Sequence, residues 1–391
     1  MTIDAYQRKV RRALTFTALA LVSTLTGCSW LPTWLGGTPS RAVQPTALTE
    51  IKPTLNTRIV WRSSIGAGRN EWLQPAVAEN AVYAAAADGA VMRLAPDSGQ
   101  TMWRTDVKTR ISAGVGSDGF TTAVATARGE VIALGADGKE LWRSQVGGEI
   151  RSPPLVGRGL VVVRSIDYRI TALDAATGKR RWIYQRTVAP LTLRGITEMV
   201  FAGDLVIAGF PSGRLVALAN ANGAVRWDIA VAEPRGATEV ERLADVVGAP
   251  LVIGPEVCAA SYQGRVACVD ASNGNLRWAT EVSARSGPAA DDRKIYVVDS
   301  KSNVVAFNRA AGSTAWRQES LQHRDLSAPL ALRRAIVTSD FAGFVHFLAP
   351  EDGSFAARVP LGSEIVAAPR ALGGGALVQT RDGSVVLINL E

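Results

Sequence analysis

From residue 57 to the C-terminus, apolar positions recur with a period of two rather than 3.6. Leu160-Val161-Val162-Val163, Leu205-Val206-Ile207 and Ile295-Tyr296-Val297-Val298 are β-branched runs bounded by Gly, Asp or Asn, the pattern of short buried strands. Each unit continues through a Gly-containing turn, a second alternating strand and a strand that carries a tryptophan. Such strands hold Trp103, Trp142, Trp182, Trp227, Trp278 and Trp316. A seventh copy has Ala357 where the Trp is expected, and an eighth, beginning at Asp382-Gly383, reaches the C-terminus before any Trp. The turns use Asp-Gly, Asn-Gly and Ser-Gly pairs, residues that tolerate positive φ. Ser152-Pro153-Pro154, Ala328-Pro329 and 367–369 precede further short strands.

Four strands in roughly 40 residues, repeated around a ring, make a β-propeller blade. The strand Ile59-Val60-Trp61-Arg62 has no turn before it. An open ring would leave an unpaired edge at each end, and this strand supplies the piece that the last unit lacks. The pattern therefore predicts an all-β fold: an eight-bladed β-propeller of four-stranded antiparallel blades over residues 57–391, closed by an N-terminal strand. The recurring Trp is expected to pack between neighbouring blades.

The tryptophans of the repeat strands, from Trp61 to Trp316, are 42, 39, 40, 45, 51 and 38 residues apart. The two long intervals place extra residues in consecutive connections between blades. The first contains Leu191-Thr192-Leu193-Arg194-Gly195, the second runs over 236–246 and contains Asp245. Extended neighbouring loops on a rigid scaffold are where binding is commonly carried. Leu191 and Leu193 are two apart, so an extended loop would point them the same way, with Arg194 turned elsewhere.

The N-terminus reads as targeting. Arg8, Lys9, Arg11 and Arg12 precede an apolar run over 13–25, the layout of a secretory signal and too short for a comfortable span. It ends in Leu25-Thr26-Gly27-Cys28, which resembles the lipobox of bacterial lipoproteins. That resemblance implies cleavage after residue 27 and acylation of Cys28, and several acyl chains make a stable anchor. Ser29, in place of an Asp, points to the outer membrane. Residues 28–56, broken by Pro and Gly, are expected to be a lipidated tether. Trp30 and Trp34 suit either a lipid surface or the rim of the propeller.

Composition removes several functions. The chain of 391 residues has a formal charge of +8, but without residues 1–27 it keeps 39 Lys and Arg against 34 Asp and Glu, a balance of +5. No basic run suggests nucleic acid. Two histidines, His323 and His346, leave little for a His-based metal site or triad, and no metal or cofactor ligand set is assigned. Gly114-Val115-Gly116-Ser117-Asp118-Gly119 fits a dinucleotide fingerprint in letters only, because no helix is expected after it. Cys258 and Cys268 flank one turn in an exported chain. A cross-strand disulfide and two buried thiols both fit that spacing.

The units resemble the quinoprotein-like repeat, most closely at Ala172-Leu173-Asp174-Ala175-Ala176-Thr177-Gly178-Lys179-Arg180-Arg181-Trp182. That likeness raises a competing reading, a periplasmic quinone-dependent dehydrogenase or ligand-binding propeller. Against it, the chain lacks the vicinal Cys pair and the greater length of such enzymes. Lipobox, tether, blades and the two loops together resemble the BamB family, lipoprotein subunits of the outer-membrane β-barrel assembly (Bam) machinery. The resemblance implies a non-enzymatic scaffold on the periplasmic face of the outer membrane. It implies too that this scaffold binds the POTRA domains of BamA, works beside the other Bam subunits and assists nascent outer-membrane proteins. Carried over residue by residue, the partner-binding set is Leu191, Leu193, Arg194 and Asp245. An acid expected two places after Asp245 is Val247 here.

Overall fold

In the computed structural model, which describes residues 43–66, 73–188, 191–193, 196–365 and 367–391, 32 strands form eight four-stranded antiparallel sheets. Blades 1 to 7 are sequential: 76–106, 116–145, 155–184, 199–230, 246–282, 289–318 and 330–360. Blade 8 takes three strands from 370–390 and its outermost strand, Thr57–Ser64, from the other end of the domain. That strand pairs antiparallel with Ser384–Leu390, from Thr57 opposite Leu390 to Ser64 opposite Ser384. The ring is closed as the repeat count requires.

Within a blade, burial follows position. The second strands are buried, Leu160–Arg164 along its whole length and those of blades 5 and 6 from their second residue on. The fourth strands, such as Arg180–Tyr184, bury chiefly the tryptophan. Eight apolar clusters hold the ring together, one between each pair of neighbouring blades. The Trp lies at seven of these junctions. Its indole N–H donates to a backbone carbonyl in the last turn of the next blade at 2.7–3.0 Å, from Trp61 onto Pro96 through to Trp316 onto Pro350. Its ring covers the glycine of that turn. At Gly178, φ is +68° and a Cβ would lie 2.6 Å from the Trp142 ring. The Thr-Gly of the repeat is thus the seat of the preceding blade's Trp.

The missing Trp at Ala357 has a physical reason. The next blade is blade 8, whose fourth strand is Thr57–Ser64 and does not follow its third strand through a hairpin, so it has no such turn. Leu55 packs instead against the cluster that holds Ala357, Phe347 and Ile388, while the N–H groups of Thr54 and Leu55 both donate to Ala356 O. The compact unit accordingly begins at Pro45. Residues 45–56, the end of the expected tether, run against blade 7. Arg324 donates to Thr46 O at 3.0 Å and Arg358 to Thr49 O at 2.8 Å. Behind them Arg324 donates to the buried Asp340 at 2.7 Å, and His346 meets the same carboxylate at 3.0 Å.

Cys258 and Cys268 face each other across the second and third strands of blade 5 and are joined by a disulfide. The alternative left open by their spacing is decided.

Candidate functional site

The connections between blades and the turns between second and third strands emerge on one face of the ring. Both long connections lie there. The second contains a tight turn organised by a reciprocal cap. Glu241 accepts from the N–H groups of Ala237 and Thr238 at 2.8 and 3.1 Å, and Thr238 Oγ1 accepts from Glu241 N–H at 3.2 Å, the capping-box arrangement. Those backbone donors hold the Glu241 carboxyl below its usual range.

Asp245, at the end of this connection, points inward and is 5% exposed. Its Oδ2 accepts the backbone N–H of Leu193 at 2.7 Å and its Oδ1 that of Ser212 at 3.0 Å. Its own carbonyl accepts from Tyr262 N–H at 2.9 Å. One residue therefore ties the first long loop, the turn of blade 4 and the turn of blade 5. Burial pushes its pKa up, opposed by the two N–H donors and by Arg164.

Arg164 closes the second strand of blade 3 and is itself buried. It donates to Gly209 O at 2.6 Å and lies over the rings of Tyr168 and Phe210 at 4.7 and 5.0 Å. Burial pulls its pKa down to about 10. The Tyr168 hydroxyl reaches Leu193 O at 3.4 Å, and burial raises the pKa of this phenol.

The two leucines differ. Leu191 is 40% exposed, whereas Leu193 is half-buried and packs against the cluster of blades 5 and 6 that includes Val247. The bend at Leu191 and the capture of the Leu193 peptide replace the extended geometry that would have aligned them. Val247 lies in the first strand of blade 5, opposite Ala260, and is buried. The departure from an acid there supplies apolar packing beside Leu193. Arg194 and Cys28, with Trp30 and Trp34, lie outside the described residues. Sequence reasoning missed Tyr168, Ser212 and Arg164. The one signal was a charge closing the otherwise apolar run 160–164.

Beside the loops is a cavity of about 370 Å³, bordered by Tyr168, Leu193, Asp245, Val247 and Tyr262. The charged groups at its edge are paired, Arg285 with Asp325 and Arg370 with Glu198. The dinucleotide-like glycines take no part. Gly116 lies in a two-residue inner strand, where a Cβ would collide with Pro154 O, and Gly119 is in a turn with φ +93°.

Fold and site define a closed eight-bladed propeller of quinoprotein-like repeats, with two long loops locked together on one face. A family model described as "Outer membrane protein assembly factor BamB" matches residues 87–318 and 300–391. A relative of that name from Burkholderia pseudomallei is 47% identical over 343 residues, 87% of this chain and 90% of its own length. The chain belongs to the BamB family. The crystal structure of BamB from Moraxella catarrhalis superposes with a TM-score of 0.78 at 25% identity, covering 85% of this chain and 100% of that one. A quinohemoprotein alcohol dehydrogenase from Pseudomonas putida HK5 has a TM-score of 0.67 at 14% identity, covering 85% and 76%. That likeness is one of fold alone.

Proposed function

We propose that this protein is a non-enzymatic scaffold of the outer-membrane β-barrel assembly machinery. It is anchored by lipid on Cys28 to the periplasmic face of the outer membrane. There it docks on the POTRA domains of BamA through the loop that holds Leu191, Leu193 and Arg194, and so helps to deliver nascent outer-membrane proteins. The observation that carries the reading is Leu191, a large apolar side chain left exposed on a loop whose neighbouring peptide is fixed by a buried carboxylate. Family membership points the same way, since the relatives are named as outer membrane protein assembly factors. A small apolar anchor beside a cation is the kind of patch that dominates an interface.

The test is binding of the chain to the isolated POTRA domains. Leu191→Ala, Leu193→Ala and Arg194→Ala together should weaken it strongly while circular dichroism stays unchanged. Wild-type affinity from the folded triple variant would sink the assignment of this face. Separately, Cys28→Ala should abolish lipidation and release the protein from membranes.

A further inference from the structure

Asp245 is poorly placed to touch a partner. It is almost wholly buried, and each of its oxygens already accepts a backbone N–H. What it does touch is the peptide of Leu193, two residues from the exposed Leu191. The carbonyl of the same residue is met by the Tyr168 hydroxyl. We propose that Asp245 and Tyr168 are positioning residues, which hold the Leu193 backbone at its N–H and at its carbonyl so that the docking loop meets its partner already in its bound shape. This rests on the reading that the loop is the docking loop.

The clamp has a rigid base. Tyr168 cannot swing freely because its ring faces the Arg164 guanidinium, and Arg164 is fixed to Gly209 O. Asp245 is fixed by Tyr262 N–H from blade 5 and by Ser212 N–H from blade 4. Leu193 adds its side chain to the apolar seat that includes Val247. Three blades therefore set the backbone of one loop residue. A loop ordered beforehand does not give up that ordering entropy when it binds.

A contact role and a positioning role predict different results. Asp245→Asn keeps the shape of the side chain, but an amide can accept only one of the two N–H bonds and turns its own donors towards the other. In the free full chain, Asp245→Asn should move the Leu193 and Ser212 amide resonances. It should also speed hydrogen exchange at both by at least about tenfold, with the amides of Leu160–Arg164 unchanged. Tyr168→Phe should act on the loop in the same direction with smaller effect. Binding to the POTRA domains should weaken by about tenfold in Asp245→Asn. Leu191→Ala should then cost less affinity in that background than in the wild type, because a loosened loop no longer presents the leucine.

Unchanged exchange at Leu193 in Asp245→Asn would overturn the clamp. So would strictly additive losses from Asp245→Asn and Leu191→Ala, the result expected of two independent contacts. If the wild-type chain does not bind the POTRA domains at all, the docking reading fails, and the exchange measurement still decides the clamp.

Discussion

Leu55 packs against the cluster that contains Ala357, at the one blade junction that has lost its tryptophan. The N-terminal segment thus completes both a sheet and an apolar junction. Trimming Leu55 should therefore be felt by the whole ring. Leu55→Ala is expected to lower stability by about 1–2 kcal/mol, less than a fully buried leucine would cost because the side chain is only half-buried. Urea unfolding is the measure, and a wild-type midpoint would show that the segment only rests on the surface.

The Trp seats allow a paired glycine test. Gly178 and Gly159 both have positive φ, +68° and +73°, but only at Gly178 would a Cβ meet the Trp142 ring, at 2.6 Å; a Cβ at Gly159 would meet nothing within 4 Å. Gly159→Ala should cost about 1 kcal/mol, the backbone effect alone. Gly178→Ala should cost about 2–4 kcal/mol, because the indole must shift as well. Equal losses in urea unfolding would remove the steric explanation of the Thr-Gly repeat.

The cluster behind residues 46–49 should make stability fall in mild acid. His346 is fully buried between Asp340 and Arg358, whose Nε donates to its Nδ1 at 3.2 Å. Burial lowers its pKa, Arg358 and Arg324 lower it further, and Asp340 opposes them. In the unfolded chain an imidazole protonates near about pH 6.5. Below that pH the unfolded state takes up a proton that the folded state refuses. Stability should therefore be intact above this range and decline as pH falls through it towards the depressed folded value. His346→Gln can still donate to Asp340 and accept from Arg358 without titrating, so its urea midpoint should decline less between about pH 7.5 and 5.5. The same decline in both proteins would show that the imidazole is not its source.

The disulfide between Cys258 and Cys268 closes a short loop, with a sequence separation of 10. Its removal in Cys258→Ala with Cys268→Ala should cost about 2–3 kcal/mol, the range for loops of this size. Mass spectrometry without reduction should find no alkylatable thiol at either position in protein made by export. Two labelled thiols would show that the pair stays reduced.

The sequence alone determined the architecture. A period of two, glycine turns and a Trp at regular intervals pose the same local problem in every blade, and the count of turns against Trp strands leaves one place for Thr57–Ser64. These signals are legible because each is settled within about a dozen neighbouring residues or by repetition. The location of the long loops could be read in the same way, since it is a matter of spacing.

Only the tertiary structure decided what those loops do with their side chains. Leu193 and Asp245 are 52 residues apart, and Arg358 and Thr49 are 309 apart. No periodicity reports which way a loop carboxylate turns. Asp245 faces inward because the packing of blades 3, 4 and 5 side by side brings two backbone N–H groups to one buried point, where a carboxylate satisfies both and an exposed orientation would leave them without partners. For the same reason Leu191 and Leu193, alike in sequence, end in different surroundings. The captured peptide draws one leucine onto the apolar seat of the next blades and leaves the other to solvent.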